Sequence, residues 1–281
     1  MLEMVFVILI LGIVASIGSE IIARVYSNYI VERAQYRASI KTELAALQIA
    51  NRLRYAIPGT VVRRIGTGGT AEELSTPLGG NADAYTVLQW VAYDGDSFEA
   101  FDPAASTTTR LPGWSGFVDL NASTRDTIIT PGSSVGFADK IIQNLSKNTT
   151  GASLKGIGDA VIYFPYDTNA YGVDGTASGG STLKLDANIS GVGVGLVEQY
   201  KLAWASYALV VEGTTNDLYL YYNFSPTPGA AIANAQKSLL LKNITNFKFQ
   251  GSGRTIRFKI CKEEPIAGDL NISACKEKAV F

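Results

Sequence analysis

One carboxylate lies within a run of apolar residues at the start of the chain. Glu3 follows Leu2 and precedes residues 4–17, a stretch without any charged residue. A charge inside an apolar segment costs about 2.5–3.5 kcal/mol on membrane-insertion scales and usually marks a functional pairing. Glu3 is therefore the first candidate functional residue, and its type and position indicate charge pairing.

The other polar residues do not form a recognisable catalytic or metal-binding pattern. The chain has no histidine, which excludes histidine-based triads, histidine metal ligands and histidine proton shuttles. The glycine-rich stretch 191–195 lacks the Lys-Ser/Thr of a phosphate-binding loop. The acidic loop residues lack the alternating spacing and closing Glu of a calcium loop. We expect no enzymatic activity, no cofactor and no metal; the acidic-loop residues considered are Asp94, Asp96, Asp167, Asn169, Asp174 and Asp217.

Two cysteines lie near the end of the sequence, at Cys261 and Cys275. In an oxidising compartment, a disulfide that closes a loop of this length contributes about 3 kcal/mol in the chain-entropy model. Two cysteines alone do not complete the four ligands of a zinc site. We expect a disulfide, and a pair of reduced thiols is the alternative.

Seven Asn-x-Ser/Thr triplets occur in the chain, and most are expected by chance in a sequence rich in Thr, Ser and Asn. Three of them have an Asp two residues before the Asn, which resembles the stricter sequon read by bacterial oligosaccharyltransferases. The predicted glycosylation candidates are therefore Asn121, Asn188 and Asn271.

A long helix must position Glu3. Apolar residues recur at threes and fours from residue 20 to about residue 55, and no proline interrupts them before Pro58. We predict one helix over residues 1–57, with an apolar half at 1–23 and an amphipathic half at 24–57 that buries one stripe against its own domain. Gly12 and Gly18 are its most flexible points, and we expect any local melting on assembly between them and Arg24.

The rest of the chain, residues 58–281, predicts a β-rich globular head. Alternating or continuous apolar runs bounded by turn residues indicate strands. One later helix is predicted at 134–147, with Phe137, Ile141, Ile142 and Leu145 on its apolar face, and Asp94-Gly95 indicates a hairpin turn. The predicted class is α+β, with one elaborated head; the predicted strands are 60–64, 85–93, 97–101, 114–120, 127–129, 159–165, 200–211, 218–224, 239–241, 247–249 and 255–260, and 167–180 is predicted as a loop.

The composition limits the partners of this head. The net charge is −1, and charged residues make up 17% of the chain, below the quarter that is typical of soluble domains. No basic excess is present to bind nucleic acid through counterion release. The many Gly, Tyr, Thr, Ser and Asn residues describe a neutral, exported surface.

The N-terminal run 1–15, with Glu3 near its start and Gly12 nine positions later, resembles the processed N-terminus of type IV pilins and type II secretion pseudopilins. The resemblance covers roughly the first fifth of the chain. Two features differ. The chain starts two residues after the usual N-methylated Phe, so we expect that it is trimmed or begins at an internal Met. The helix-kinking Pro of the family, expected near Glu20, is absent.

The resemblance implies a subunit stored in the bacterial inner membrane and then polymerised into an extracellular pilus or a periplasmic pseudopilus. Its partners would be identical or homologous pilin subunits and the pilus assembly machinery. Glu3 would neutralise the N-terminal amine of a neighbouring subunit. The family often closes a C-terminal loop with a disulfide, which would involve Cys261 and Cys275.

Several alternatives have different consequences. A minor pilin or pseudopilin of a secretion or adhesion apparatus would act as a tip or binding module, and the large head favours this class somewhat. The apolar run also fits a simple membrane anchor or a buried core helix, and a membrane-anchored enzyme is the weakest alternative. A secretory signal peptide is disfavoured because its start would be basic rather than acidic.

Overall fold

The structure of the chain is a computed structural model that describes residues 2–77, 84–104, 110–147, 155–165, 167, 169–187, 189, 196–233, 235–266 and 271–281. Its α-helices are α1 (Leu2–Leu53), α2 (Gly95–Glu99) and α3 (Val135–Leu145). Its strands are β1 (Val62–Arg64), β2 (Glu72–Glu73), β3 (Val87–Ala92), β4 (Phe101–Asp102), β5 (Leu111–Pro112), β6 (Thr127–Ile129), β7 (Val161–Tyr163), β8 (Tyr171–Gly179), β9 (Thr182–Leu185), β10 (Lys201–Ala203), β11 (Ala205–Glu212), β12 (Asp217–Phe224), β13 (Gln236–Leu241), β14 (Ile244–Ser252), β15 (Thr255–Pro265) and β16 (Asn271–Val280).

Helix α1 runs without a break for 52 residues. It ends at Leu53, before the predicted boundary at residue 57. The backbone N–H groups of Tyr55 and Ala56 bond to the carbonyls three residues earlier, which tightens the last turn, and Pro58 then disfavours helical backbone before it. The chain therefore leaves the helix directly into the head.

The head contains two main antiparallel sheets and a C-terminal three-stranded sheet. The largest sheet has the strand order β13-β12-β11-β3-β1-β2, and the second has the order β10-β7-β8-β9-β6. Strands β14, β15 and β16 form the third sheet in sequence order. The class is α+β, with a long apolar N-terminal helix and a mostly antiparallel β-rich domain.

The two largest of the four hydrophobic clusters among the described residues hold these layers together. The first core joins the second half of α1 to the largest sheet and the C-terminal sheet, with Ile49, Trp90 and Phe258 among its buried residues. The second core lies beside the five-stranded sheet and contains Trp114 and Ile142. The head is therefore built partly on the helix and partly on a core of its own.

The predicted hairpin around residues 213–216 is confirmed, because β11 and β12 pair across it. The predicted half-buried alternation in β15 is also confirmed, since Ile256, Phe258 and Ile260 are buried whereas Arg257 and Lys259 are exposed. In both cases local pattern and turn residues favour the same structure.

Four local predictions are wrong: the turn at Asp94-Gly95, the strands at 97–101 and 114–120, and the loop at 167–180. The segment 114–120 forms only an isolated bridge at Phe117. Asp94-Gly95 does not form a hairpin turn; it begins α2, because the Asp94 carboxylate caps the helix by accepting a hydrogen bond from the Ser97 N–H at 3.1 Å. The predicted strand at 97–101 is therefore mainly helical. The predicted loop at 167–180 contains β8. Its residues have low strand propensity, but its backbone N–H and C=O groups form hydrogen bonds with those of β9.

The predicted helix at 134–147 is present as α3, but its predicted face is partly wrong. Ser134 occupies the N-cap position, yet its hydroxyl donates to Asp102 at 2.7 Å instead of capping the helix. Leu145 is exposed, because the buried face of α3 is rotated around the helix axis from the predicted face. The buried residues of α3 are Val135, Ala138 and Ile142.

Candidate functional site

The first half of α1 extends from the head with its apolar side chains uncovered. Between Met4 and Ile17 the large apolar side chains are 52–75% exposed. The helix is long and apolar enough to cross a membrane, with a mean hydropathy of 2.5 in its most apolar window and none of that window buried. The alternative of a buried core helix is therefore wrong for the described residues, and by length and composition the helix is consistent with membrane association.

Glu3 lies in the first turn of this exposed half. Unpaired N–H groups and the helix dipole make the start of a helix favourable for a carboxylate. Gly12 and Gly18 follow further along the helix, and a Cβ added at either glycine would meet no heavy atom of the surrounding chain within 4 Å. Small residues of this kind allow another helix to approach closely.

The second half of α1 packs on the head through a stripe of small residues. These side chains let the backbone of the helix approach β15 and β16, and Thr42 is accommodated because its hydroxyl donates to the Ala38 carbonyl at 2.7 Å. Toward the end of the helix, the stripe continues with the larger residues Ile49 and Leu53. Its buried members are Ala34, Ala38, Thr42, Ala45, Ala46, Ile49, Ala50 and Leu53.

A second apolar stripe runs along the opposite side of the same helical half. Its successive members are four, four and three residues apart, which is the spacing of residues on one face of a helix. Tyr36 and Leu44 are the most exposed, at 68% and 57%. The prediction that this half buries one stripe against the head is confirmed, because the sheet covers the alanine face. The second stripe, whose larger side chains face outward, was not predicted. The outer stripe is Tyr36, Ile40, Leu44 and Leu47.

Sequence reasoning missed the outer stripe because it grouped both sets of apolar residues together. Because successive residues of a helix are rotated by about 100°, the alanines fall on one side of α1 and the bulky residues fall on the opposite side. The separation by side-chain size was visible in the sequence. The outer stripe is a second exposed apolar surface of α1, separated from the apolar first half by the exposed charged residues Glu20, Arg24, Glu32 and Arg33.

Ion pairs fix the helix to the C-terminal sheet. Glu43 accepts a hydrogen bond from Lys278 at 2.6 Å and lies 3.6 Å from Lys276. The Lys278 hydrogen bond holds the pKa of the Glu43 carboxyl below its ordinary value. Lys41 lies 3.5 Å from Glu264, whose pKa is lowered chiefly by its hydrogen bond from Lys262. These pairs orient the helix relative to the head.

The two cysteines form a disulfide. They are directly opposite each other in the antiparallel pairing of β15 with β16, with their Cα atoms 4.0 Å apart. We expected a C-terminal disulfide loop; instead the bridge joins two paired strands within the sheet that packs on α1. Backbone pairing over Thr255–Pro265 makes this sheet regular on both sides of the bridge.

Two of the three predicted glycosylation sites lie on exposed backbone. Asn121 lies in a turn in which its backbone N–H donates to the Asp119 carboxylate at 3.0 Å, and the Ser123 hydroxyl accepts from the Ile129 N–H at 2.8 Å. Asn271 begins β16 and is exposed, as is Ser273. Asn188 lies outside the described residues. Glycosylation at these positions stays a prediction.

The acidic residues considered for calcium perform local structural roles. Asp167 accepts from the Tyr171 hydroxyl at 2.7 Å, and Asp217 accepts from the Asn243 N–H at 3.2 Å. Asp94 is buried, and desolvation raises its pKa to about 6. Across the described ranges, no three His, Cys, Asp or Glu residues converge on one point.

The candidate functional surface of the chain is therefore the long helix, with Glu3 in its first turn, an uncovered apolar half, and an outer stripe beside the head. Glu3 and the cysteine pair lie in different parts of the molecule, the first on the free half of the helix and the second in the sheet that holds the other half. No known protein family, curated protein or solved structure matches this chain.

Proposed function

We propose that the chain is a structural subunit of a type IV pilus-like filament that polymerises through α1. The observation that supports this proposal is the exposed apolar surface of the helix, which covers all sides over residues 4–17 and continues further along as the outer stripe. Uncovered apolar surface of this extent is unfavourable in water. A bundle of identical helices removes it from water over the full length of α1.

A membrane holds the same surface before assembly. Residues 4–22 span about 28 Å at 1.5 Å per residue, close to the roughly 30 Å of a bilayer's hydrocarbon core. All backbone hydrogen bonds of a helix are internal, which a bilayer requires. The proposed subunit is stored in the inner membrane and then transferred to an extracellular pilus or periplasmic pseudopilus by the assembly machinery.

Glu3 gives this assembly its register. A carboxylate enclosed by apolar helices is strongly unfavourable until it meets a cation. The N-terminal amine of a neighbouring subunit is the proposed partner. Because only one axial offset between subunits brings the two charges together, their pairing selects that offset.

A second candidate function is that of a minor pilin or pseudopilin at the filament tip, acting as a binding module. The second core, with Trp114 and Ile142 among its buried residues, supports this candidate. It makes the head larger than packing on α1 requires. Such a head has room for a ligand surface that a repeating subunit does not need.

Sheared surface filaments from the native host test both candidates. If the chain is a major subunit, mass spectrometry finds it as the dominant protein, and cryo-electron microscopy shows α1 in the filament core. If it is a minor subunit, it appears in traces at filament ends. A chain that stays in the membrane fraction under conditions that produce filaments is a simple anchor, and this result overturns both candidates.

A further inference from the structure

A recess on the surface of the head is lined mainly by aromatic side chains. Its volume is about 300 Å³, at the lower end of the range of small-molecule sites. Trp114 and Tyr200 are buried, with their ring centres 5.6 Å apart, whereas Phe98 and Phe117 are 43% and 58% exposed. Exposed apolar side chains that gather around a cavity, rather than lying singly, indicate a binding surface. The aromatic residues of the lining are Tyr93, Phe98, Trp114, Phe117 and Tyr200.

Lys201 brings a positive charge to this recess. Its ammonium nitrogen lies 4.7 Å from the centre of the Tyr93 ring, a distance at which the face of the ring attracts a cation. Burial and the charge of the neighbouring Arg254 lower the pKa of Lys201. Among the described residues, no carboxylate lines the recess or forms an ion pair with Lys201. The recess therefore suits an anion that also has an apolar face.

Most other polar groups of the recess are occupied within the fold. The indole N–H of Trp114 donates to the Asp94 carbonyl at 2.9 Å. The backbone N–H of Tyr200 donates to the Gly116 carbonyl at 3.0 Å. The side-chain amide of Gln199 is exposed and makes no hydrogen bond within the part of the chain that the structure describes. A ligand thus meets ring faces, one ammonium group and one amide.

We propose that this recess binds an acidic saccharide, through a pyranose ring that carries a carboxylate. The faces of aromatic rings are negatively polarised and attract the C–H groups that line one face of a sugar ring. The ligand carboxylate accepts a charge-assisted hydrogen bond from Lys201, and a ring hydroxyl bonds to the Gln199 amide. This inference goes beyond the filament role and applies equally to a major or a minor subunit.

A peptide that adds to a strand edge fits the recess less well. That mode of recognition needs free main-chain N–H and C=O groups beside the site. Here the two lining segments use these groups on each other, since the Val118 N–H donates to the Glu198 carbonyl at 2.8 Å and the Tyr200 N–H donates to the Gly116 carbonyl. A saccharide is held by ring faces and side chains and does not need main-chain pairing.

The recess lies far from the segment that we place in the membrane. Lys201 also lines a neighbouring pocket beside Leu53 and Arg54, at the end of α1. With residues 4–22 in the hydrocarbon core, Leu53 lies about 46 Å beyond Ile22 along the helix at 1.5 Å per residue. The site is therefore in water both before and after assembly, where it meets a glycan rather than a lipid headgroup.

Glycan retention by the full-length chain tests the proposal. The protein is purified in a detergent without a sugar headgroup and applied to immobilised oligosaccharides that contain uronic or sialic acid. Each acidic oligosaccharide is accompanied by its carboxylate methyl ester, which keeps the rings but removes the charge. We expect retention of acidic oligosaccharides and roughly tenfold weaker binding of the esters, because a charge-assisted hydrogen bond is lost.

Two variants separate the charge from the ring faces. Lys201→Gln should abolish the preference for acid over ester, whereas Lys242→Gln, an exposed lysine outside the recess, should keep it. Phe98→Ala/Phe117→Ala should weaken the binding of acid and ester alike, roughly tenfold, because ring faces are removed. Phe101→Ala is its control, since Phe101 is also exposed but does not line the recess. Circular dichroism melting verifies that each variant is folded.

The saccharide site is overturned if the wild-type chain retains none of the acidic oligosaccharides, or retains acid and ester equally. An unchanged preference in Lys201→Gln also overturns it. Stronger retention of an aromatic peptide rich in Asp and Glu than of any oligosaccharide assigns the recess to a protein segment instead. Filament formation is scored separately, so a chain that forms filaments but retains no glycan overturns only this inference.

Discussion

Glu43 on α1 accepts a hydrogen bond of 2.6 Å from Lys278 on β16, 235 positions later in the chain. Lys276 on the same strand lies 3.6 Å from the same carboxylate. This contact joins the helix that we propose for assembly to the last strand of the head. It helps fix which face of α1 packs on the sheet, and hence which face is left for a neighbouring subunit.

Glu43→Gln should lower the Tm at pH 7, because it removes the charge that Lys278 and Lys276 share. The pKa of Glu43 lies below its ordinary value of 4.5, so the folded chain binds fewer protons than the unfolded chain at mildly acidic pH. The stabilisation is therefore present above pH 4.5 and is lost as the pH falls through the folded pKa. Thermal melts of the wild-type and variant chains should converge at low pH.

Glu277→Gln is the control for this measurement. Glu277 is an exposed carboxylate on the same strand and is in no ion pair among the described residues. Its variant should melt like the wild-type chain at both pH values. Equal melting of the Glu43→Gln and wild-type chains at pH 7 would show that the ion pair does not stabilise the helix contact.

Asp94→Asn should stabilise the head at neutral pH. Desolvation raises the pKa of the Asp94 carboxyl from 3.8 to about 6, so ionising it in the folded chain costs about 3 kcal/mol at most. For an acid with a raised folded pKa, stability falls as the pH rises from 3.8 through 6. Denaturant unfolding between pH 4 and pH 7 should show this decrease in the wild-type chain and a flatter profile in the variant.

The amide of Asn keeps an oxygen that can accept the Ser97 N–H bond, so helix α2 retains its cap. Glu99→Gln is the control, because Glu99 is an exposed carboxylate in the same helix that does not act on Asp94, and this variant should leave the profile unchanged. A variant profile as steep as that of the wild-type chain would contradict the assignment to Asp94.

Glu3→Gln should reduce filament assembly strongly while the head stays folded. The substitution removes the charge that pairs with a neighbour's amine but keeps the size of the side chain. Filaments are quantified after shearing, and the subunit pool in the membrane is measured in the same cells. Glu20→Gln provides a matched control, because Glu20 is also exposed but is already paired with Arg24 in its own chain. Wild-type filament yield from Glu3→Gln would remove Glu3 from the assembly step.

Ile40→Ser/Leu44→Ser should impair assembly without destabilising the chain. Both side chains belong to the outer stripe and are exposed, so little packing is lost within the subunit. A neighbouring helix packed on the stripe would lose two apolar contacts. Leu145→Ser, an exposed apolar substitution on α3, is the control. Normal filament yield from the double variant would show that the outer stripe stays in water.

Cys261→Ala/Cys275→Ala should lower the unfolding free energy by about 2–3 kcal/mol, because the unfolded chain gains the freedom of the bridged segment. The bridge lies in the sheet beneath α1. Denaturant unfolding of the wild-type chain with and without reductant provides the comparison. If reductant or the double substitution leaves the midpoint unchanged, backbone pairing alone holds the strands.

The sequence by itself determined the long helix, because a continuous apolar run over residues 4–17 passes into apolar residues at threes and fours up to Leu53, with no proline to end them. It also determined the hairpin between β11 and β12 and the alternation in β15, where turn chemistry and side-chain period agree. These features depend on contacts that are local in the chain. The position of Glu3 in the first turn follows from the helix alone.

Only the tertiary structure decided which side of α1 faces the head. The alanine face and the bulky face are both apolar, and the choice depends on β15 and β16, which follow about two hundred positions later. Asp94 differs for a local reason, because the same residues allow either a hairpin turn or a helix capped through the Ser97 N–H, and the chain forms the capped helix. Long-range packing selects among locally acceptable alternatives, and in this chain that selection leaves the outer stripe in water.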